Sequence, residues 1–212
     1  MTNRRRRRVS SSEPVILWAL TLAVAAALAS AETSLEVTVL GSTNDSRVVA
    51  VKEAVEFWNR ELDRVGAQVR LGPVRMVDNP IPDQVLRDLS EAVMDGHNAG
   101  GLAERIDRIP GEIVVALSNA DLVSFGLPLH RRAKGFVALR SAAGPPLSLP
   151  NVARNAVAHE LGHVLGLSHN DDPSTLMCGR PAPCRPGLFA SDTARFFPLT
   201  PSEERQLREH WP

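Results

Sequence analysis

The chain has 212 residues and no tyrosine, and its Phe and Trp together make up only 4%. An aromatic-rich core is thereby excluded. Packing must come mainly from Val, Leu, Ile and Ala, within a hydrophobic content of 43% that suits a soluble globular protein. Neither sign of charge is in excess, since 24 basic and 24 acidic residues balance. The distribution is uneven, because Arg4 to Arg8 are five consecutive arginines. Without residues 1–31 the chain keeps 19 basic and 23 acidic residues, a net of −4. So mildly acidic a body offers no basic face to nucleic acid, and no nucleic-acid partner is expected. No internal repeat is present.

Long apolar runs are also lacking. The longest, Val15 to Ala29, has 15 residues, or 17 when extended to Ala31. A membrane span needs ~20. Arginines, then an apolar run, then the small residues Ala29-Ser30-Ala31 make a secretory layout with an A-x-A cleavage site. Residues 1–31 are therefore read as a cleaved signal peptide, with an uncleaved signal anchor through residues 15–31 as the alternative. Either reading makes residues 32–212 one secreted or extracytoplasmic domain, anchored to the membrane in the second case.

Periodicity gives the elements. Residues 35–40 alternate as a first strand. Asp45 or Ser46 can cap a helix with Val48, Val51, Val55, Trp58, Leu62 and Val65 on one face, ended by Gly66. A strand follows at about 68–77, then a helix from Asp83 to Met94 and a loop at 96–101. Residues 112–117 form a buried strand and 118–132 a loop. Residues 135–140 form a further strand, and 142–150 a linker. Asn151 can cap the next helix. Residues 170–199 are loop-rich. Thr200-Pro201-Ser202-Glu203 is a capping box with Pro at the first helical position, opening a last helix to about Trp211.

The chemistry is concentrated in His159-Glu160-Leu161-Gly162-His163-Val164-Leu165-Gly166-Leu167-Ser168-His169. It reads H-E-x-x-H-x-x-G-x-x-H. His159 and His163 are one helical turn apart and can reach the same metal ion. Glu160 is rotated about 100° around the axis, where it can hold a water without being a ligand. Gly166 can adopt the left-handed conformation that ends a helix, so the chain can turn back and bring His169 in as third ligand. Three protein ligands leave one tetrahedral position open, as in a catalytic zinc site. Five fixed letters at ~5% each arise by chance in roughly 3 of 10 million windows. Half of the six histidines lie in this stretch. Val157, Leu161, Val164 and Leu165 supply the packing face on the opposite side, so the histidines are not needed for the core. One catalytic Zn2+ is the expected cofactor. Asp171 and Asp172 are the carboxylates a structural calcium would use, though a solvated acidic turn accounts for them better.

Ser174-Thr175-Leu176-Met177-Cys178 follows five residues after His169. With Met177 as a turn methionine, the motif closely resembles the metzincin group of zinc metallopeptidases. The short spacing and the Leu-Met pair are most similar to the matrixins, the matrix-metalloproteinase type. Astacin-like and serralysin-like members carry a tyrosine where this chain has Gly179. The resemblance implies an α+β fold: a twisted, mostly parallel sheet with one antiparallel edge strand, an active-site helix and a C-terminal helix. Residues 135–140 are the candidate for that edge. Cys178 and Cys184, the only cysteines, suggest a disulfide in an exported protein. A second metal site is disfavoured, because no His pair lies nearby. In matrixin-like folds this loop walls the pocket for the residue after the scissile bond.

The activity implied is that of a zinc-dependent endopeptidase acting on extended protein or peptide substrates. A zinc-bound water would be activated by Glu160 as general base, with His159, His163 and His169 as ligands. The alternative is a catalytically silent metal-binding interaction module using the same cleft. It would be signalled by loss of Glu160 or of a ligand, and none is lost. A monomer is expected.

Overall fold

The computed structural model describes residues 33–97, 101–128, 130, 134–179, 184 and 194–212. The 1–31 segment anticipated above lies outside the described residues. Ten elements follow in order: β1 (Thr33–Leu40), α1 (Arg47–Val65), β2 (Val69–Val77), α2 (Asp83–Met94), α3 (Leu102–Ile106), β3 (Ile113–Leu117), β4 (Phe125–Leu127), β5 (Gly135–Leu139), α4 (Pro150–Val164) and α5 (Pro201–His210). The five strands form one sheet in the order β2-β1-β3-β5-β4. All neighbours are parallel except β4 and β5, which pair antiparallel through Phe125↔Ala138, Gly126↔Val137 and Leu127↔Phe136. This is the mixed sheet with one antiparallel edge.

The edge is not where the sequence placed it. β5, not residues 135–140 as an edge, sits inside the sheet between β3 and β4, and the edge strand is β4. β4 falls in the stretch 118–132 read as a loop. Three residues are too few to show alternation, so their strand character comes from pairing with β5. The five-residue α3 also went unread, for the same reason of length.

Alternation assigns the two faces. Ile113, Val115 and Leu117 of β3, with Val137 and Leu139 of β5, join the core under α1, α4 and α5. Val114 and Ala116, with Phe136 and Ala138, join a second cluster with Leu86 and Leu89 of α2 and Ile106 of α3. The central strands are therefore buried on both sides, which is why they read as continuous apolar runs. Trp58 of α1 is fully buried, and its indole N–H donates to the Ala158 carbonyl of α4 at 2.9 Å. That bond ties the scaffold to the functional helix.

α1 begins at a buried arginine. Arg47 donates through Nη1 to the carbonyls of Ser118 (2.6 Å), Leu139 (3.1 Å) and Arg140 (2.7 Å). These carbonyls lie at the ends of β3 and β5, and that of Leu139 also accepts from the Ser118 N–H at 2.9 Å. Asp45 pairs with the same guanidinium at 2.6 Å. Its Oδ1 also accepts from the Arg47 backbone N–H at 2.9 Å, so Asp45 rather than Ser46 caps the helix start. Burial alone would raise the Asp45 pKa. Hydrogen bonds from the Arg47 side chain and backbone, together with its charge, outweigh burial and hold the pKa below the ordinary carboxylate value.

Replacing Arg47 by Met should therefore cost about 3–5 kcal/mol, because it leaves the Asp45 carboxylate without its cation and takes the Arg47 donor from the Ser118 and Arg140 carbonyls. Urea unfolding at neutral pH measures this. A carboxyl pKa depressed in the folded state stabilises above the unfolded value of ~3.9 and loses that contribution as pH falls through the folded value. The gap between wild type and Arg47→Met should accordingly narrow in acid.

Candidate metal centre

α4 carries the first two histidines. Pro150 occupies its first position, and no side chain caps it. Asn151, expected to be the cap, instead lies within the first turn, where its Oδ1 accepts from the Arg195 N–H at 3.4 Å. Asn155 is also turned to that segment: its Nδ2 donates to the Arg195 carbonyl at 2.8 Å and its Oδ1 accepts from Phe197 N–H at 2.9 Å. The residues before α5 are thus tied to the flank of α4. On the opposite side from the histidines, Val157, Leu161, Val164 and Leu165 are buried in the core.

After α4 the chain reverses at Gly166, whose φ of 96° is in the left-handed region that favours glycine. The Leu167 N–H returns to the Gly162 carbonyl at 2.9 Å. His169 is thereby brought back over α4. The side chains of His159, His163 and His169 converge, with burial falling in that order from buried to exposed. The Nε2 atom of His169 lies 3.0 Å from Nε2 of His159 and 3.0 Å from Nε2 of His163.

The donor set fits a metal ion. His159 Nδ1 donates to the Leu176 carbonyl at 2.8 Å, and His163 Nδ1 donates to the Leu167 carbonyl at 2.9 Å. A carbonyl accepts only, so each ring carries its proton on Nδ1, and each Nε2 presents a lone pair. Burial pushes the His163 pKa down, and nearby His169 adds to this, against the Leu167 hydrogen bond that raises it. A neutral imidazole is the form that ligates. Lone pairs gathered this closely repel one another unless a cation lies among them. Zinc–nitrogen bonds of ~2.0–2.1 Å in a tetrahedron put ligand nitrogens about 3.3 Å apart, close to the observed 3.0 Å. His159, His163 and His169 would hold the ion.

Met177 is fully buried beneath this site. A Cβ on Gly162 would come within 2.5 Å of its sulfur, so only glycine lets α4 settle on the turn. Gly179 serves the same end. A Cβ there would overlap the His169 ring. Gly126 of β4 lies against the Glu160 carbonyl, with no room for a Cβ. The edge strand thus lies directly on α4. The sequence named Gly179 only as the place where a tyrosine is missing, and nothing in it pointed to Gly126.

The third ligand has its own support. Asn170 N–H donates to the Met177 carbonyl at 2.9 Å, and Gly179 N–H donates to the Asn170 carbonyl at 2.9 Å. The Asn170 side-chain amide donates to Thr175 Oγ1 at 2.9 Å and to Glu203 Oε1 at 2.6 Å. Glu203 is the buried capping-box residue of α5, whose other oxygen accepts from Thr200 N–H at 2.7 Å. The C-terminal helix is therefore linked to the residue beside His169. Asp172 turns onto Ser174 instead, accepting its N–H at 2.9 Å and its hydroxyl at 2.7 Å. Those bonds place its pKa below the ordinary value.

Cys178 and Cys184 are joined as a disulfide with Cα atoms 5.5 Å apart. Both, with Gly179, line a cleft of about 640 Å³ that also contains Glu160 and the three histidines. Glu160 is buried beside the ligands, and it is not one of the three converging groups.

No family model and no curated protein matches this chain. Solved structures do share its fold. Archaemetzincin (amzA) from Methanopyrus kandleri superposes with a TM-score of 0.51 at 17% identity, over 85% of this chain and 96% of that one. Metalloproteinase-II from Bacteroides fragilis gives a TM-score of 0.50 at 13% identity, over 84% of this chain and 53% of that one. The chain shares the fold of these two structures, and a three-histidine cluster stands at its cleft.

Purified protein should bind zinc, and a His163→Ala/His169→Ala variant should not retain it, as metal analysis after dialysis will show. Asn170→Ala removes the link that orients the His169 loop. Loss of such a supporting hydrogen bond typically weakens metal affinity ~10–100-fold. Competition against a chromophoric chelator measures that fall, and an unchanged affinity would show that the loop needs no such support.

Proposed function

We propose that this domain is a zinc-dependent endopeptidase of the metzincin group. The observation that carries the reading is Glu160, which shares the cleft with three converging imidazoles yet stands outside their ligand set. His159, His163 and His169 would hold a zinc ion, which would supply Lewis-acid polarisation of a carbonyl and would lower the pKa of water toward ~7. The chain's own groups do the rest. His159 and His163 are kept in the ligating tautomer by the carbonyls of Leu176 and Leu167. Glu160 accepts the proton of the attacking water and passes it to the leaving amine. The outer edge of β4 offers main-chain groups to an extended peptide, as one more strand of the sheet.

Within the metzincins we propose the matrixin-like type, on the His169-to-Met177 spacing and the Leu176-Met177 pair. The position of Gly179 against His169 supports this reading, because no side chain fits there. We also propose that the domain works outside the cytoplasm. The basic-then-apolar N-terminus and the Cys178–Cys184 bridge support that placement.

Glu160→Gln should keep zinc and the fold while peptide hydrolysis falls ~10²–10⁴-fold, the usual cost of losing a general base. Turnover near the wild-type level in the zinc-loaded variant would mean that another base operates. A wild-type protein that holds zinc and cleaves no peptide would instead be the silent binding module.

A further inference from the structure

α2 and the residues before β4 build a surface that the metal chemistry does not use. Among the described residues, three large hydrophobic side chains are exposed: Val49, Met94 and Val123. Two of them, Met94 (51% exposed) and Val123 (40% exposed), line the cleft that contains the histidines. Val93 lines it as well. Exposed apolar side chains brought together at a reactive cleft mark a place where something apolar binds.

The surface is rigid. α2 is anchored by Leu86 and Leu89 on the sheet face away from α4. Ser90, buried in that helix, donates its hydroxyl proton to the Val123 carbonyl at 2.8 Å and accepts from the Val123 N–H at 3.1 Å. Both backbone groups of Val123 are thus held by one side chain. Met94, one helical turn beyond Ser90, is set beside Val123 as part of the same unit. Beyond the two, the surface carries charges of both signs, Arg87 and Arg140 with Glu91, Asp95 and Asp121. Arg140 is already paired with Asp121. Nothing there favours a ligand of one charge.

We propose that Val93, Met94 and Val123 form a specificity subsite that takes one apolar side chain of the peptide lying along β4. The proposal rests on the peptidase reading for its ligand, a peptide, but not on turnover. Val123 is two residues before Phe125, the first residue of β4, and a strand advances ~3.3 Å per residue. A side chain contacting this lip therefore belongs to a peptide position close to the one at the metal. The backbone of the lip is held by Ser90, so docking orders little more than the Met94 side chain, and selectivity should follow.

The test uses the full chain, zinc-loaded and carrying Glu160→Gln, titrated with blocked synthetic peptides varied one position at a time. At a single position, Leu, Met or Phe should bind roughly 10- to 100-fold tighter than Asp or Lys. Adding Met94→Glu/Val123→Glu should abolish that preference and favour Lys or Arg at the same position, with zinc content unchanged. The milder Met94→Ala, which keeps the helix fold, should weaken the preference at that position alone. The proposal is overturned if no position prefers apolar residues, if no peptide binds, or if Met94→Ala and Met94→Glu/Val123→Glu leave the profile of the parent intact. Hydrolysis by the protein with native Glu160 is scored separately. Selective binding without hydrolysis rejects the peptidase reading and keeps the subsite, whereas hydrolysis with an unaltered profile rejects the subsite alone.

Discussion

The hydrogen bonds from Nδ1 of His159 and His163 to the carbonyls of Leu176 and Leu167 determine which ring nitrogen faces the cleft. Everything at the metal centre depends on that choice. Both carbonyls lie outside α4, on the two turns that follow it. The Leu167 carbonyl is placed by the reversal at Gly166. The Leu176 carbonyl is placed by the turn before Met177, where the Leu176 N–H is held by the Pro198 carbonyl at 2.9 Å. A helix with two histidines is only half of the site. The turns supply the other half, by fixing the tautomer and bringing in His169.

Close backbone approach is the second constraint. Gly126 lets β4 lie on α4 at Glu160, and Gly162 lets α4 lie on Met177. Both contacts leave no volume for a methyl group, so the strand, the helix and the turn are fixed relative to one another. Trp58 adds a directional bond from α1 to the Ala158 carbonyl, one residue before the first ligand. The C-terminal helix closes the assembly. Gln206 donates to the Gly166 carbonyl at 2.8 Å and Trp211 to the Leu165 carbonyl at 3.2 Å, which satisfies carbonyls that the ended α4 leaves without partners. The Thr200–Glu203 capping box starts that helix, and the same glutamate reaches Asn170. One side chain thus serves both a local cap and the loop of the third ligand.

The cleft has two unlike sets of lining residues. The Cys178–Cys184 bridge and Gly179 come from the turn side, where a covalent link and a residue without a side chain keep the wall close to His169. Val93 and Met94, at the end of α2, and Val123, just before β4, line it from the other side. α4, which bears His159 and His163, and α2, which bears Val93 and Met94, therefore pack on opposite faces of one sheet.

The eleven residues from His159 to His169 announced a metal-binding helix and turn because their spacing is local: a turn of helix and one reversal need no distant partner. The same holds for α1 with its 3–4 periodicity, for β1, β3 and β5 with their apolar residues, and for the Thr200–Glu203 box. What no local pattern carried was pairing. β4 is three residues long and is a strand only because β5 lies beside it, so the edge was assigned to residues 135–140. Asn151 has the chemistry of a cap, but Arg195, far along the chain, claims its oxygen. Asn170 and Ser90 are ordinary polar residues in sequence, and become supports only where Glu203 and Val123 are folded against them. The sequence by itself determined the three converging histidines, the glutamate beside them and the helix that bears His159, Glu160 and His163, since side-chain chemistry at fixed short spacing is written in the chain. The tertiary structure alone decided the edge strand, the ring tautomers and the apolar lip, because each is set by a carbonyl, a strand or a helix that arrives from elsewhere in the fold.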